Sequence, residues 1–412
     1  MTACVLSIGT EITRGEITNT NASWLSEQLT RLGIEVTEIA SIKDDRADIE
    51  GTLRRLSRDH TLLVSTGGLG PTTDDITTEC VARVLDVPLQ RDQTSLDALM
   101  TRLARFNREL TPSNAKQTDF PRGAAILANP NGTAPGFSVK LGRAEAFFMP
   151  GVPGEMKPMF DTHVTKVARR LVEGGLYQVR LKTFGSAESA VNDQLAGLEA
   201  AHDVVIGYRA HFPEIEVKVF AKRKTEADAE RAAKAAAAEV RERLGDIIFA
   251  EGAVTYWGAV GTLLREQGLT LGTAESCTGG LIAELLTSES GSSDFFQGSI
   301  VSYANPVKTD VLHVPVKLLK EHGAVSAEVA RAMAEGARKV LGVDIALSVT
   351  GIAGPGGGTE SKPVGLVHFA VATDKATFDE RIVFPFRDRT QIRLLAAYAG
   401  LRLLRRTLLA KP

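Results

Sequence analysis

The sequence predicts an α/β chain with two three-layer α/β domains joined by a small α+β domain. Three observations carry this. Strand-like and helix-like patterns alternate over residues 3–84 and again over 257–408, which calls for mainly parallel sheets with right-handed crossovers. Strand patterns run directly into Gly-rich turns, Gly67-Gly68-Leu69-Gly70 and Ser276-Cys277-Thr278-Gly279-Gly280, as ligand-binding junctions of such sheets do. Between the two halves, residues 178–250 read strand, helix, strand, strand, helix, strand, the split βαβ order. The expected boundaries are 1–172, 176–252 and 255–412.

In the first domain, Ala3 to Ile8 reads as a buried strand, followed by a polar loop to Asn21 and a helix over Ser23 to Leu32 that Gly33 ends. Ile34 to Ile39 reads as a strand, Arg46 to Arg58 as a helix and Thr61 to Ser65 as a third strand. A helix follows the Gly67 loop through Val84, and Phe137 to Met149 reads as a hairpin turning near Gly142. In the middle domain the helices fall at Glu188–Leu198 and at Thr225–Leu244. The latter is Ala-rich with charges on one face, as a solvated helix is. The middle domain has no GxxG loop of the RNA-binding kind, and a spacer or dimerisation role is expected for it. The last domain has strands at 269–273, 298–303, 345–349 and 366–372, with a final helix over Thr390–Leu408 whose arginines are expected on its solvated face.

Composition excludes several classes. The chain has 412 residues, 43% hydrophobic and 24% charged, as soluble globular proteins do. A net charge of −2 supplies no general attraction to nucleic acid or membrane. Cys4, Cys80 and Cys277 are far apart, which fits neither a disulfide framework nor a CxxC metal site. The histidines form no HxH or HExxH motif. With no signal-peptide pattern and no apolar run of membrane-spanning length, a cytoplasmic location is expected.

Four stretches of the last domain are expected to meet at one sheet edge. They are Glu275 to Gly280, Ser302 to Lys308, the glycine loop Val349 to Gly358, and Arg387-Asp388-Arg389. Ser276, Cys277 and Thr278 are nucleophile candidates on a strand-turn-helix junction, where free amides and the helix dipole favour negative charge. A serine needs a neighbouring base. The first three stretches hold no histidine, but a buried Lys308 can serve, because burial lowers a lysine pKa. The helix position of Cys277 would favour its thiolate, which leaves a cysteine nucleophile open on chemistry alone. In the first domain the amides of Gly67, Gly68 and Gly70 can approach phosphates, Asp74 and Asp75 offer hard oxygen ligands for Mg²⁺, and Glu11 and Asn21 can add to them.

Residues 272–365 carry AESCTGG, SYAN followed by Lys308, Gly323-Ala324-Val325-Ser326, TGIAGPGGG and Lys362-Pro363-Val364-Gly365. In these motifs the chain resembles the C-terminal domain of the CinA (competence/damage-inducible) family, also found alone as the PncC nicotinamide-nucleotide amidase. The resemblance implies hydrolysis of nicotinamide mononucleotide to nicotinate mononucleotide and ammonia. It implies Ser276 as nucleophile, Lys308 as base, Tyr303 and Thr350 as positioning residues and Arg389 as phosphate contact. It also implies that Gly279, Gly280, Gly351 and Gly354 line the substrate and that the amidase has no cofactor. The family usually has Gly-Asp-Arg or Gly-Asn-Arg near this arginine. Here Phe386-Arg387-Asp388-Arg389 stands there, so Arg387, Arg389 and Arg393 all remain candidates.

Residues 1–170 carry GTEI, GEITNTN, GGLGPTTDDIT, NPNGTAPGF and MPGVPGEM. They resemble the other CinA half, related to molybdopterin-binding proteins of the MoaB/MogA kind. That half is linked in the family to ADP-ribose pyrophosphatase activity, with AMP and ribose 5-phosphate as products. The resemblance implies Gly67, Gly68, Gly70, Thr72 and Asn21 on the substrate, and Asp74, Asp75 and Glu11 on a divalent metal such as Mg²⁺. Thr13 stands where the family usually has leucine. The expected substrates, nicotinamide mononucleotide and ADP-ribose, are both breakdown products of NAD, so the expected protein is a bifunctional salvage hydrolase, homodimeric, with no direct nucleic-acid or membrane partner. Two alternatives stand beside it. One is an N-terminal domain that only binds a pterin, a nucleotide or a protein. The other is a non-enzymatic competence or DNA-damage factor.

Overall fold

A computed structural model describes residues 2–172, 174–385 and 388–410. The chain divides into two compact units, Met1–Gln178 with Ala221–Ala232, and Val179–Phe220 with Ala233–Pro412.

The N-terminal unit is built on a six-stranded sheet in the order Glu35–Ile42, Thr2–Ile8, Leu62–Thr66, Ala144–Met149, Gly136–Leu141, Ala125–Leu127. The first four strands are parallel, Gly136–Leu141 is antiparallel to them, and Ala125–Leu127 pairs antiparallel with Gly136–Leu141. Side chains alternate across a strand. Cys4, Leu6 and Ile8 therefore enter one core with Ile49, Leu53 and Val81, while Ala3 and Val5 enter the opposite core with Leu25, Leu29 and Met156. Two helical layers on one sheet give the three-layer arrangement expected. The first long helix starts earlier than its apolar stripe, at Thr20. Asn19 caps it, its side chain accepting from the Ala22 amide at 3.0 Å. A helix at Gln93–Arg105 has no counterpart in the sequence reading. It buries only Ser95, Leu99 and Leu103, a single row too narrow to stand out as periodicity.

The second unit holds a five-stranded sheet in the order Phe296–Val301, Leu271–Glu275, Ile345–Gly351, Leu366–Ala372, Thr377–Val383. The first three strands are parallel, Leu366–Ala372 is antiparallel to them, and Thr377–Val383 pairs antiparallel with Leu366–Ala372. Leu271, Leu347, Val349 and Phe369 pack with Val260, Leu264, Ala396 and Leu404 on one face. Ala274 and Ala346 pack with Val329, Met333 and Ala337 on the other. The edge strand Thr377–Val383 is absent from the sequence reading because its sequence, TFDERIV, mixes charges into a half-exposed edge. The short helix Asn305–Asp310, which carries Lys308, is also absent from that reading.

The strands of the split βαβ stretch form a four-stranded sheet in the order Val205–His211, Glu214–Arg223, Gly175–Phe184, Ile248–Glu251. The helix expected at Glu188–Leu198 is broken into Glu188–Gln194 and Leu198–His202. Phe184 and Phe249 of this sheet share a core with Tyr256 and Tyr398, and the Tyr398 hydroxyl donates to Glu214 Oε1 at 2.7 Å. The arginines of the final helix are not simply solvated. Arg402 pairs with Glu380 at 2.5 Å and Arg405 donates to the Ile248 carbonyl at 3.1 Å.

Candidate active site

The first three strands of the five-stranded sheet, from the Phe296–Val301 edge inward, are parallel neighbours, so their carboxyl ends share one edge. Glu275 ends one strand, Val301 the second and Gly351 the third. The turn after Glu275 starts by pairing, with the Ser276 amide donating to the Val349 carbonyl at 2.9 Å. It closes through Gly279 and Gly280 at φ +61° and +94°, backbone that a side chain would strain.

Lys308 is 1% exposed. Its Nζ lies 3.2 Å from Ser276 Oγ, 2.5 Å from the Ser302 carbonyl and 3.1 Å from the Tyr303 carbonyl. As an ammonium it donates to all three. As a neutral amine it keeps its two N–H groups on the carbonyls and turns its lone pair to the Ser276 hydroxyl. Burial pulls the Lys308 pKa below its ordinary range. The two residues read from sequence as nucleophile and base are thus in hydrogen-bond contact.

Cys277 behaves otherwise than its helix position suggested. It is buried in the apolar core with Ile282 and Val349, and burial pushes its thiol up to about 12. The turn also differs in its donors. Glu275 is fully buried and accepts from the amides of Gly280, Ile282 and Ala283 at 2.9, 3.1 and 2.9 Å, and from Ser299 Oγ at 3.3 Å. The amides of the helix start are therefore taken by Glu275 and are not free for an oxyanion. Among the described residues, the amides of Cys277 and Thr278 in the same turn donate to no other residue. The N-cap position of this helix is Gly280, which has no side chain to accept, so ordinary N-cap spacing does not point to Glu275.

Of the arginine candidates, Arg389 donates to the Gly354 carbonyl at 2.7 Å and to the Tyr303 hydroxyl at 3.2 Å. That joins the glycine loop, the exposed Tyr303 and the final helix at the rim of the Ser276 turn. Arg393 spends its Nε and Nη2 on the Thr278 carbonyl, at 3.1 and 2.6 Å, and so braces the turn. Arg387 lies outside the described residues. Thr350 is buried, and its hydroxyl donates to the Ala324 carbonyl at 2.8 Å. Lys362 Nζ donates to the carbonyls of His322 and Val325 at 2.5 and 2.8 Å. Both fix the Gly323–Ser326 stretch, and the Lys362 role was not foreseen.

In the N-terminal unit a cleft of about 490 Å³ is lined by Glu11, Asn21, Gly67, Gly68, Gly70, Asp74 and Asp75, among others. Gly67 and Gly68 have φ of +102° and +68°, and a Cβ on them would strike the Ile8 carbonyl and the Thr77 hydroxyl. Asn21 Nδ2 donates to the Gly151 carbonyl at 2.6 Å, bracing the opposite wall. The Asp75 carboxylate faces Thr72, accepting from its amide at 2.9 Å and from its hydroxyl. Asp74, Asp75 and Glu11 share the cleft without converging. Among the described residues, no three acidic, His or Cys side chains are grouped to hold a metal ion. Also among them, no helix is long and apolar enough to cross a membrane.

Residues 253–408 match the CinA C-terminal domain, 4–171 a "Probable molybdopterin binding domain" and 178–250 the damage-inducible protein CinA KH domain. A CinA-like protein of Citrifermentans bemidjiense is 43% identical over 412 residues, covering 100% of this chain and 98% of that one. A CinA-like protein of Geobacter sulfurreducens is also 43% identical, over 99% of this chain and 100% of the other. Among solved structures, a competence/damage-inducible protein of Agrobacterium tumefaciens is 41% identical, covering 37% of this chain and 92% of that one, with a TM-score of 0.36. With matches to all three domain types in order and identity along the whole length, the chain belongs to the CinA family.

Proposed function

We propose that the C-terminal site is a serine amidase that deamidates nicotinamide mononucleotide to nicotinate mononucleotide. The observation that carries this is the buried Lys308 Nζ at 3.2 Å from Ser276 Oγ, with no carboxylate paired to it among the described residues. Neutral Lys308 takes the Ser276 proton as Oγ attacks the carboxamide carbon, and the carbonyl oxygen becomes an oxyanion facing the amides of Cys277 and Thr278. The tetrahedral intermediate collapses, the C–N bond breaks, and Lys308 returns the proton so that ammonia leaves. Water then attacks the acyl-serine, Lys308 accepts its proton and returns it to Ser276 Oγ as the ester C–O bond breaks, and nicotinate mononucleotide leaves. Arg389 and Tyr303 at the rim bind the phosphate end, where the fork of an arginine suits phosphate oxygens. Ammonia release from nicotinamide mononucleotide by the purified full chain tests this. Release by wild type and none by Ser276→Ala is expected, and equal release by both would overturn the reading.

The N-terminal cleft supports a second activity, hydrolysis of ADP-ribose to AMP and ribose 5-phosphate. Its support is the pair of side-chain-free, positive-φ positions Gly67 and Gly68 on the cleft wall, where backbone can approach a pyrophosphate closely. Assay of ADP-ribose cleavage with and without added Mg²⁺ tests it, and no cleavage in either condition leaves a binding cleft only. The three cysteines are free and buried, which fits a reducing cytoplasm.

A further inference from the structure

Gln117 lines the N-terminal cleft, yet it is only 6% exposed. Its Oε1 is buried with no hydrogen-bond partner. Its Nε2 has no partner within the protein among the described residues, but unlike Oε1 it is not enclosed. The segment that holds it is otherwise well tied. Thr111 caps Pro112–Ala115, and the Thr118 hydroxyl donates to the Ala115 carbonyl at 2.7 Å. The preceding residue, Lys116, donates from Nζ to the Thr72 carbonyl at 2.8 Å, which fastens this segment to the Gly67–Asp75 loop. So a well-tied segment places in the lining of the cleft that holds the phosphate-type glycines an amide whose buried oxygen has no partner and whose nitrogen has none within the protein among the described residues.

Buried polar groups are nearly always satisfied, and one left bare lowers stability. A ligand that supplies the missing partners resolves this. A primary amide offers an acceptor and a donor side by side. Phosphate and carboxylate offer acceptors only and would leave Oε1 bare. A ring edge with adjacent donor and acceptor satisfies both ends, and adenine has one, its 6-amino group beside a ring nitrogen. We propose that Gln117 reads the adenine edge of a nucleotide bound in this cleft, with Oε1 accepting from the 6-amino group and Nε2 donating to the neighbouring ring nitrogen. This rests on the nucleotide reading of the cleft given above and names its specificity residue.

The test is calorimetric titration of the full-length protein with ADP-ribose and with its analogue lacking the 6-amino group. Wild type should bind ADP-ribose about tenfold or more tightly than the analogue, the size of one well-made hydrogen bond. Gln117→Leu should bind both ligands alike, at the analogue's level, and melt at the wild-type temperature or above it, because it loses a bare amide. Gln117→Met, equal in length, should behave as Gln117→Leu and serves if that variant does not fold. Unchanged ADP-ribose binding in these variants, or a 6-amino preference that survives them, overturns the assignment and leaves the nucleotide cleft standing. So does a lowered melting temperature with both ligands weakened equally, which is a structural role. Wild type binding neither ligand sinks the nucleotide reading, and Gln117 with it.

Discussion

The Glu275 carboxylate lies 2.9 Å from the Ala283 amide, so the residue before the nucleophile caps the helix that follows it. One side chain thus fixes both ends of the Ser276 turn, since it also accepts from Gly280. Glu275→Gln places an amide NH₂ where only acceptors fit. We predict a loss of about 1–3 kcal/mol in stability, the usual penalty for a buried group left unsatisfied, with a lower kcat for nicotinamide mononucleotide. Denaturant midpoints and steady-state kinetics check it. A variant as stable and as active as wild type would show that the cap does not set the turn.

The choice between Ser276 and Cys277 turns on burial. A thiol pushed up to about 12 is almost entirely protonated near neutral pH, and it packs in the core. Ser276→Ala should lower kcat on the order of 10⁴-fold or more, as loss of a nucleophile does. Cys277→Ala should keep most of the activity, and iodoacetamide should have little effect on wild type. The reverse pattern makes the enzyme a cysteine amidase.

How much of this was legible in the sequence follows from what each residue touches. Ser276 and Lys308 were legible because strand-ending motifs on parallel neighbours must share an edge, whatever the side chains do beyond it. The order of layers was legible because alternation in Thr2–Ile8 divides cleanly between two cores. Gln117 was not, since an unsatisfied amide is a property of its surroundings and leaves no pattern in the chain. Nor was the loss of helix-start donors to Glu275, because spacing allows a cap but does not show that the carboxylate turns inward to the amides. The residues alone left Cys277 open as a nucleophile for the same kind of reason, since proximity to a helix start says nothing of desolvation.

Lys308 sets the pH dependence. Its folded pKa is lowered by burial, and only the neutral amine takes the serine proton. The rate should therefore rise with pH through that lowered pKa and level off below the ordinary lysine value of about 10.4. In the unfolded chain the lysine keeps its ordinary pKa, so between the two values the unfolded state binds more protons and stability also rises with pH. Lys308→Arg stays charged throughout and should be nearly inactive without the rise. A flat wild-type profile from mildly acidic to alkaline pH counts against a lysine base.

Arg389 and Arg393 have different partners and should fail differently. Arg389 sits at the rim on Gly354 and Tyr303, so Arg389→Lys should raise KM for nicotinamide mononucleotide about tenfold or more while leaving activity on the phosphate-free riboside nearly unchanged. Arg393 holds the Thr278 carbonyl, so Arg393→Lys should lower kcat on both substrates alike. Equal losses on both substrates for Arg389→Lys would remove it as the phosphate contact.

The last prediction concerns Asp75, and it separates two ways the residue could serve the N-terminal cleft. As a metal ligand, Asp75 needs its charge. As the group that accepts from the Thr72 amide and hydroxyl, it needs only its oxygen, and it then acts by shaping the loop that begins at Gly67. Asp75→Ala removes both capacities and should abolish ADP-ribose cleavage under either account. It should spare the amidase, because Ser276 and Lys308 belong to the other compact unit. Asp75→Asn divides the accounts, since it keeps an acceptor for Thr72 and loses the charge. The geometry favours the loop, with the carboxylate already engaged and no three acids grouped for a metal among the described residues. Asp75→Asn should then retain ADP-ribose cleavage within about tenfold of wild type, the cost of weakening one charge-assisted bond, with an unchanged dependence on Mg²⁺. Cleavage as dead as in Asp75→Ala, restored in part by raising the metal concentration, would instead make Asp75 a ligand. Loss of deamidation in either folded variant would show that the two sites are not independent.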